Sequence, residues 1–197
     1  MLKYPKGMRK TESKSPLKQS TSNRGIALEQ ELNQTNQYYL DLNIAVIHKK
    51  PTPIQVVNVD YPARNKAQIT KAFYTKPSTT DYNGIYRSRA IDFEAKQTDA
   101  LTLFKLALIH EHQINHLKAV IKHGGIGFII IRFSSKNETY FVEAQKIIDL
   151  YYGEKRSIPY TWFREEAYLI PFSLTPPIDY LKVIDQLYFE GENNEKR

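Results

Sequence analysis

The sequence of 197 residues contains no cysteine. A disulfide framework, a cysteine-ligated zinc site and a thiol nucleophile are therefore excluded. Long hydrophobic runs are also missing, because the longest, at 125–133, is far too short to cross a bilayer. The basic N-terminus lacks the apolar segment of a signal peptide. These absences predict a soluble protein of the cytoplasm.

Acidic residues are comparatively few. The chain has 21 Asp and Glu against 28 Lys and Arg, which gives a formal net charge of +7. A basic surface attracts polyanions, so nucleic acid is the favoured class of partner, ahead of an acidic membrane surface. The alternative is a basic protein that uses its charge for solubility alone.

The length suits one hydrophobic core and is short for two. Residues 1–22 are rich in Lys, Ser, Thr and Pro and predict a flexible basic arm, because they cannot bury enough apolar surface to offset the entropy of ordering. A single folded domain over 23–190 and a flexible tail over 191–197 follow. Within the domain, residues 60–76 carry several Lys and Arg but a single acid, and predict a basic excursion from the core.

The apolar pattern predicts strands on both sides of a long helix. We assign strands to 43–50, 54–60, 127–133 and 139–144, an extended segment of one or two strands to 84–98, and a helix to 103–125. Short helices follow, with room for a strand at 167–172. This order predicts an α/β fold with a mixed sheet.

Residues 91–96 separate into an apolar face and a charged face when they are placed on a strand. The apolar face carries Ile91, Phe93 and Ala95, and the charged face carries Asp92, Glu94 and Lys96. An ordinary charged surface is the simplest interpretation of such a face.

Three neighbouring features favour a metal site instead. Asp81 stands before a glycine turn, which places its carboxylate at the start of the neighbouring strand and near Glu94. Paired carboxylates suit Mg²⁺, which takes few protein oxygens and keeps water and phosphate for the rest. Gln113 adds an uncharged oxygen from the helix, and Lys96 is a donor suited to polarising a phosphate.

Asp81, followed by Glu94, Ala95 and Lys96, resembles the D…E-x-K motif of the PD-(D/E)xK nuclease superfamily, with Thr80 in place of the motif proline. The wider context is more specific. The segments at 23–29, 78–98, 109–117 and 124–133 together resemble the RecU-type Holliday junction resolvases in order and spacing, over nearly the whole chain.

This resemblance implies a restriction-endonuclease-like mixed sheet flanked by helices, with a projecting basic stalk at about 60–76. It implies a homodimer that resolves four-way DNA junctions by symmetric paired nicks with Mg²⁺, for which Mn²⁺ can substitute. Such an enzyme acts in homologous recombination and DNA repair. A recombinase and a branch-migration motor are the implied protein partners.

The resemblance also implies roles for individual residues. The metal-binding group by position is Thr79, Asp81, Glu94 and Gln113. Asp81, Glu94 and Lys96 are the catalytic residues, and Lys96 stabilises the transition state. Glu29 matches an accessory acid of the first helix. The charge of the stalk itself predicts DNA contacts by Arg64, Lys66, Lys71 and Lys76, and the alternative is a mobile basic loop with only general DNA affinity.

Other interpretations stay open at this point. His112 and His116 have a zinc-compatible spacing, although Ile114 stands where an H-E-x-x-H motif needs its second histidine. Asp92 could replace Asp81 as a metal ligand, or it could hold the metal ligands in place without contacting the metal itself. A non-catalytic DNA-binding protein, or a nuclease of the same fold for duplex or other branched DNA, would share the basic character.

Overall fold

The computed structural model describes residues 26–75 and 79–190. The predicted arm at 1–22, the predicted tail at 191–197 and Lys76 lie outside the described residues. The helices are α1 (Ile26–Asp41), α2 (Glu111–Lys122), α3 (Ala144–Tyr152), α4 (Tyr160–Glu166) and α5 (Tyr180–Tyr188). In the part of the chain described, none of these helices has the length and apolar character needed to span a membrane.

Ten strands form three sheets in the described residues. They are β1 (Val46–Lys49), β2 (Ile54–Asp60), β3 (Gln68–Tyr74), β4 (Tyr82–Tyr86), β5 (Arg89–Thr98), β6 (Leu103–Lys105), β7 (Ile126–Phe133), β8 (Glu138–Glu143), β9 (Ser157–Pro159) and β10 (Tyr168–Ile170). The central sheet has the order β1-β4-β5-β7-β8-β10. Since β5 and β7 are parallel and the other neighbours antiparallel, the predicted mixed sheet of an α/β fold is confirmed.

Helices cover both faces of the central sheet. On one face, side chains of α1 and α5 join those of the sheet in one apolar cluster, which includes Leu32, Phe93, Phe128 and Ile184. On the other face, α2, α3 and α4 contribute to a second cluster. Successive residues of β7 point alternately into the two clusters, which explains why this strand is apolar except at Arg132.

The extended segment at 84–98 belongs to two strands. The tight turn between β4 and β5 is made by Arg87 and Ser88, whose φ angles of 46° and 62° are left-handed. Such a turn matches the twist of paired antiparallel strands. The resulting register places Tyr82 opposite Phe93, and this register fixes the geometry of the candidate site.

The helix predicted over 103–125 is shorter in the structure, so its predicted start is wrong. Residues 103–105 form β6, a 3₁₀ turn follows at 106–108, and α2 begins at Glu111. The helix begins after a reciprocal cap: the Gln113 side chain accepts from the His110 N–H at 2.9 Å, and the Gln113 N–H donates to the His110 carbonyl at 2.9 Å. Local capping therefore overrides the helical spacing of the preceding apolar residues.

Strands β2 and β3 form a separate antiparallel hairpin (residues 54–74, the β2–β3 hairpin). Every residue of both strands is exposed, and in the described part of the chain neither strand joins the central sheet. The strand predicted at 54–60 is confirmed as β2, but the hairpin starts at Ile54, whereas the stalk was predicted to start at about residue 60. The alternation of apolar residues predicts a strand but does not reveal which surface the strand packs on.

Candidate active site

The two acids predicted to bind metal are adjacent in the structure. Asp81 immediately precedes β4, and the pairing of Tyr82 with Phe93 sets it opposite Glu94 on β5. The backbone N–H of Asp81 donates to Glu94 Oε2 at 3.1 Å. The Asp81 side chain is exposed, whereas Glu94 is fully buried. A solvent-facing carboxylate therefore stands beside a buried one.

Lys96 lies on the same face of β5 as Glu94. Its Nζ is 2.8 Å from Glu94 Oε1, a close ion pair. The contact lacks hydrogen-bond geometry, so that buried oxygen has no hydrogen-bond partner among the described residues. A buried carboxylate oxygen with an unused acceptor site is what a bound cation would satisfy. Asp81, Glu94 and Lys96 are thus brought together by one strand pair.

Burial raises the pKa of Glu94 from its ordinary value of 4.5 to about 8. The Lys96 ammonium lowers this pKa, while the Asp81 carboxylate raises it further. Burial is the largest of these effects, because a charged carboxylate loses its hydration inside the protein. A cation bound between the two acids would supply the positive charge that this environment lacks.

The raised pKa predicts a pH-dependent stability in the presence of a chelator. The folded protein holds the Glu94 proton more tightly than the unfolded chain, so this stabilisation is complete below about pH 4.5 and is lost as the pH rises through about 8. Relative to Glu94→Gln, the wild-type free energy of unfolding should fall by up to about 1.4 kcal/mol per pH unit in this window. Urea unfolding of both proteins across the window measures the difference. A difference that stays constant with pH would contradict the prediction.

A cleft of about 440 Å³ opens beside Asp81. It is lined by Glu29, Lys49, Lys50, Thr79, Thr80 and Asp81, together with Pro51, Thr52, Pro53 and Thr75 at the base of the β2–β3 hairpin. Glu29 therefore reaches the same cleft as Asp81. Its Oε1 lies 2.5 Å from Lys49 Nζ, so in this structure Glu29 forms an ion pair with a neighbouring lysine.

Thr79 and Gln113 differ in how they are held. The Thr79 hydroxyl is half-buried at the cleft and donates to the Thr80 carbonyl at 3.3 Å. Gln113 is buried in the first turn of α2, and its Oε1 accepts from the His110 N–H at 2.9 Å. A carbonyl oxygen has two lone pairs. Gln113 could therefore cap the helix and still offer one lone pair to a cation.

Asp92, the alternative ligand, is already engaged. Its Oδ1 accepts from the Thr80 hydroxyl, and its Oδ2 lies 2.9 Å from Lys50 Nζ and 3.0 Å from His116 Nε2. Because these three polar or cationic partners already satisfy the buried Asp92 carboxylate, it gains little from binding a further cation. This arrangement favours Asp81 over Asp92 as the ligand next to Glu94.

The contact with Asp92 also bears on the zinc alternative. His116 faces Asp92, while the ring of His112 stacks on that of His110 at 5.5 Å. Among the residues described, no group of three or more His, Cys, Asp or Glu is suitably placed for a metal ion. The donors available beside Glu94 are hard oxygens, which suit Mg²⁺ or Mn²⁺ better than zinc.

Sequence reasoning missed the roles of Lys50 and His116 and considered Thr80 only as the residue that replaces a proline. Lys50 follows β1, whose pairing with β4 brings it beside Asp81. Nothing in the local pattern around Lys50 indicates that pairing. For His116, the signal was available, because it lies one helical turn after Gln113 on the same side of α2.

Fold and site together define a class: a mixed α/β sheet that carries Asp81 and Glu94-Ala95-Lys96 on adjacent strands is the arrangement of the PD-(D/E)xK nucleases, whose fold is restriction-endonuclease-like. Within that class the family model for RecU, described as recombination protein U, matches residues 23–186. The chain belongs to the RecU family.

Curated relatives match over nearly the full length. The Holliday junction resolvase RecU of Oceanobacillus iheyensis is 48% identical over 196 residues, which cover 95% of this chain and 100% of the relative. The protein of the same description from Bacillus cereus strain B4264 is 47% identical over 197 residues, covering 95% and 98%. Among solved structures, the Holliday junction resolvase Hjc of Archaeoglobus fulgidus matches with a TM-score of 0.44 and 11% identity, covering 73% of this chain and 94% of that one.

Proposed function

We propose that this protein is an endonuclease that resolves Holliday junctions by hydrolysing phosphodiester bonds in four-way DNA. The observation that carries the proposal is the contact of Asp81, Glu94 and Lys96, with Asp81 lining an open cleft. The family membership supports the substrate class, because the relatives that match over their whole length are described as Holliday junction resolvases.

The donor set fits a divalent cation, for which we propose Mg²⁺ with Mn²⁺ as a substitute. Asp81 and Glu94 would hold it with charged oxygens, and Thr79 and Gln113 with neutral ones. When bound, the metal lowers the pKa of a water molecule and offsets negative charge on the phosphate. Asp81 and Glu94 supply the negative charge that makes cation binding favourable at this place, and burial of Glu94 excludes competing water from its oxygens.

Lys96 acts on the phosphate rather than on the cation. An ammonium group donates hydrogen bonds and cannot accept them, so it is suited to charge that develops on a phosphate oxygen. In the structure it is partly buried and held against Glu94 at 2.8 Å. This fixed position lowers the reorganisation needed when the transition state forms.

The test of the proposed function is cleavage of a synthetic four-way junction, with linear duplex of matched sequence as the control. Mg²⁺ and Mn²⁺ should support cutting, whereas Ca²⁺ should support binding with little cutting, because it is larger and looser in its coordination. Denaturing gel electrophoresis measures the products. Full activity in excess chelator would overturn the metal site, and equal cutting of linear duplex would favour the alternative of a general nuclease.

We propose that the active form is a homodimer that nicks two opposed strands. A junction has an approximate two-fold axis, so a two-fold dimer presents two equivalent sites to symmetric positions. A recombinase and a branch-migration motor are the proposed protein partners. Paired nicks should appear as cuts at symmetric positions on two opposed strands, and the same cleavage assay shows these positions.

The β2–β3 hairpin is the proposed element for junction recognition. It exposes Arg64, Lys66 and Lys71 together with Tyr61, Phe73 and Tyr74. Tyr74 is 82% exposed, and Lys71 Nζ lies 5.5 Å from the centre of the Phe73 ring. Lysine and arginine neutralise phosphates, and aromatic rings stack on unpaired bases. An isolated two-stranded sheet is only marginally stable in water, so contact with DNA or a second subunit would also stabilise it.

Neutralising the hairpin should remove the preference for junctions. We expect the triple variant Arg64→Gln, Lys66→Gln and Lys71→Gln to bind the junction and linear duplex with similar affinity at matched salt, because the contacts to crowded phosphates are lost. A matched control neutralises three exposed cations elsewhere: Lys105→Gln, Lys155→Gln and Arg156→Gln. Competition binding measures the ratio of the two affinities. If both triple variants keep the wild-type ratio, the hairpin does not confer the preference.

A further inference from the structure

Four side chains from four separate segments of the chain meet at Asp92, and we call them the Asp92 cluster: Lys50, Thr80, Asp92 and His116. Lys50 follows β1, Thr80 precedes β4, Asp92 is on β5 and His116 is on α2. Lys50 Nζ lies 2.9 Å and His116 Nε2 lies 3.0 Å from the same Asp92 oxygen. The other oxygen accepts from Thr80, whose hydroxyl also accepts from Lys50 Nζ at 3.1 Å.

The cluster is tied to the main chain of Asp81. Thr80 is 2% exposed, and its side chain anchors the residue immediately before Asp81. The Lys50 N–H donates to the Asp81 carbonyl at 2.7 Å, and the Asp81 N–H donates to Glu94. The backbone on both sides of the Asp81 Cα is therefore fixed, although the Asp81 side chain itself is open to solvent.

The proline that precedes the aspartate in the superfamily motif restricts the backbone through its ring. This chain has Thr80 at that position. Hydrogen bonds and ion pairs of a side-chain cluster can restrict the same backbone by a different means. Asp92 is central, because it lies two residues before Glu94 on β5 and so joins the Asp81 segment to the strand that carries the second acid.

We infer that the Asp92 cluster is a positioning device that orients Asp81 towards Glu94 for the divalent cation. This inference rests on the proposed function. Thr80, Lys50, Asp92 and His116 act through Asp81 and do not themselves bind the cation or the phosphate. Both Asp92 oxygens already contact side chains of the cluster, so Asp92 helps to hold the Asp81 backbone in place. The Asp81 side chain then remains available to bind the cation.

The test is the binding of Mn²⁺ to the full chain without DNA, measured by titration calorimetry. Thr80→Val keeps the shape of the side chain but removes its hydrogen bonds to Asp92 and Lys50. We expect Mn²⁺ binding to weaken by about tenfold or more, the usual effect of removing a partner behind metal ligands. Thr80→Ser restores the hydroxyl and should restore binding. Cleavage at saturating Mn²⁺ should recover most of the wild-type rate in both variants.

The matched control is Thr139→Val, which removes the hydroxyl of another buried threonine. Thr139 lies on β8, is 7% exposed and accepts from Arg132 Nε at 2.9 Å. The Thr139→Val variant should lose about as much thermal stability as Thr80→Val does, but it should bind Mn²⁺ with the wild-type affinity. Unchanged Mn²⁺ affinity in folded Thr80→Val would overturn the inference, and so would equal weakening in Thr139→Val.

A second variant covers the case in which Thr80→Val does not fold. Lys50→Met removes the other link between Asp92 and the Asp81 segment, and circular dichroism checks that the protein is folded. Wild-type Mn²⁺ affinity in this variant would then overturn the inference. Failure of the proposed function has a different signature, since the wild type itself would bind no Mn²⁺ and would not cut the junction.

Discussion

Glu94→Gln should bind a four-way junction as tightly as the wild type and fail to cut it. The amide keeps an acceptor for the Asp81 N–H, which lies 3.1 Å from Glu94 Oε2, so the strand pair is preserved. It removes the negative charge that holds a divalent cation. We expect no detectable cleavage and a folded protein that is no less stable, because a buried carboxylate is costly to ionise.

Asp81→Asn should also abolish cleavage, because it removes the second proposed metal-binding carboxylate. Glu165→Gln is the matched control, because it removes one charge from an exposed acid on α4. Gel-shift titration in Ca²⁺ measures junction binding, and thermal unfolding measures stability. Wild-type cutting by either Asp81→Asn or Glu94→Gln would show that the metal-binding carboxylates have been assigned to the wrong residues.

Lys96→Ala should slow cleavage by roughly 10²-fold or more at saturating metal and junction. The reason is the loss of a fixed positive charge that stabilises the transition state. Junction affinity should change little, because one of many cationic contacts is removed. Lys105→Ala, which truncates an exposed lysine on β6, is the control. Single-turnover cleavage separates the two effects, and a loss confined to affinity would make Lys96 an ordinary phosphate contact.

Lys96→Ala has a second effect that must be separated from the first. The ammonium lowers the pKa of Glu94, so its removal raises that pKa further above about 8. Metal binding then competes with a more tightly held proton, and the metal concentration needed for half-maximal cutting should rise at neutral pH. Raising the pH or the metal concentration corrects this second effect and leaves the deficit in turnover.

Asp81, Glu94 and Lys96, the proposed catalytic residues, could be brought together from the sequence because the information is local. Alternation along β5 puts Glu94 and Lys96 on one face, and the turn before β5 brings Asp81 next to them. Only one strand pairing is needed. The sequence did not reveal that this face is covered, since the burial of Glu94 depends on how α2 packs against β5.

The supporting residues could not be placed, because they depend on contacts between distant parts of the chain. Lys50 reaches Asp92 only when β1 pairs with β4, and His116 reaches it only when α2 crosses the sheet. The strand predicted at 54–60 is present as β2, but its place in an exposed hairpin was missed for a related reason. Its apolar residues fit a core strand as well as the exposed hairpin in which they are found.

The β2–β3 hairpin is joined to the central sheet in a way that allows it to change without disturbing the sheet. β1 and β4 pair directly, with Lys49 opposite Tyr82, so the chain leaves and re-enters the central sheet at neighbouring positions. The entropy of closing such a loop grows only slowly with its length. Insertions or deletions in the hairpin can therefore accumulate without shifting the register that sets Asp81 beside Glu94. If the hairpin recognises junctions as proposed, evolution or the grafting of a different hairpin could change substrate preference while the central sheet stays the same.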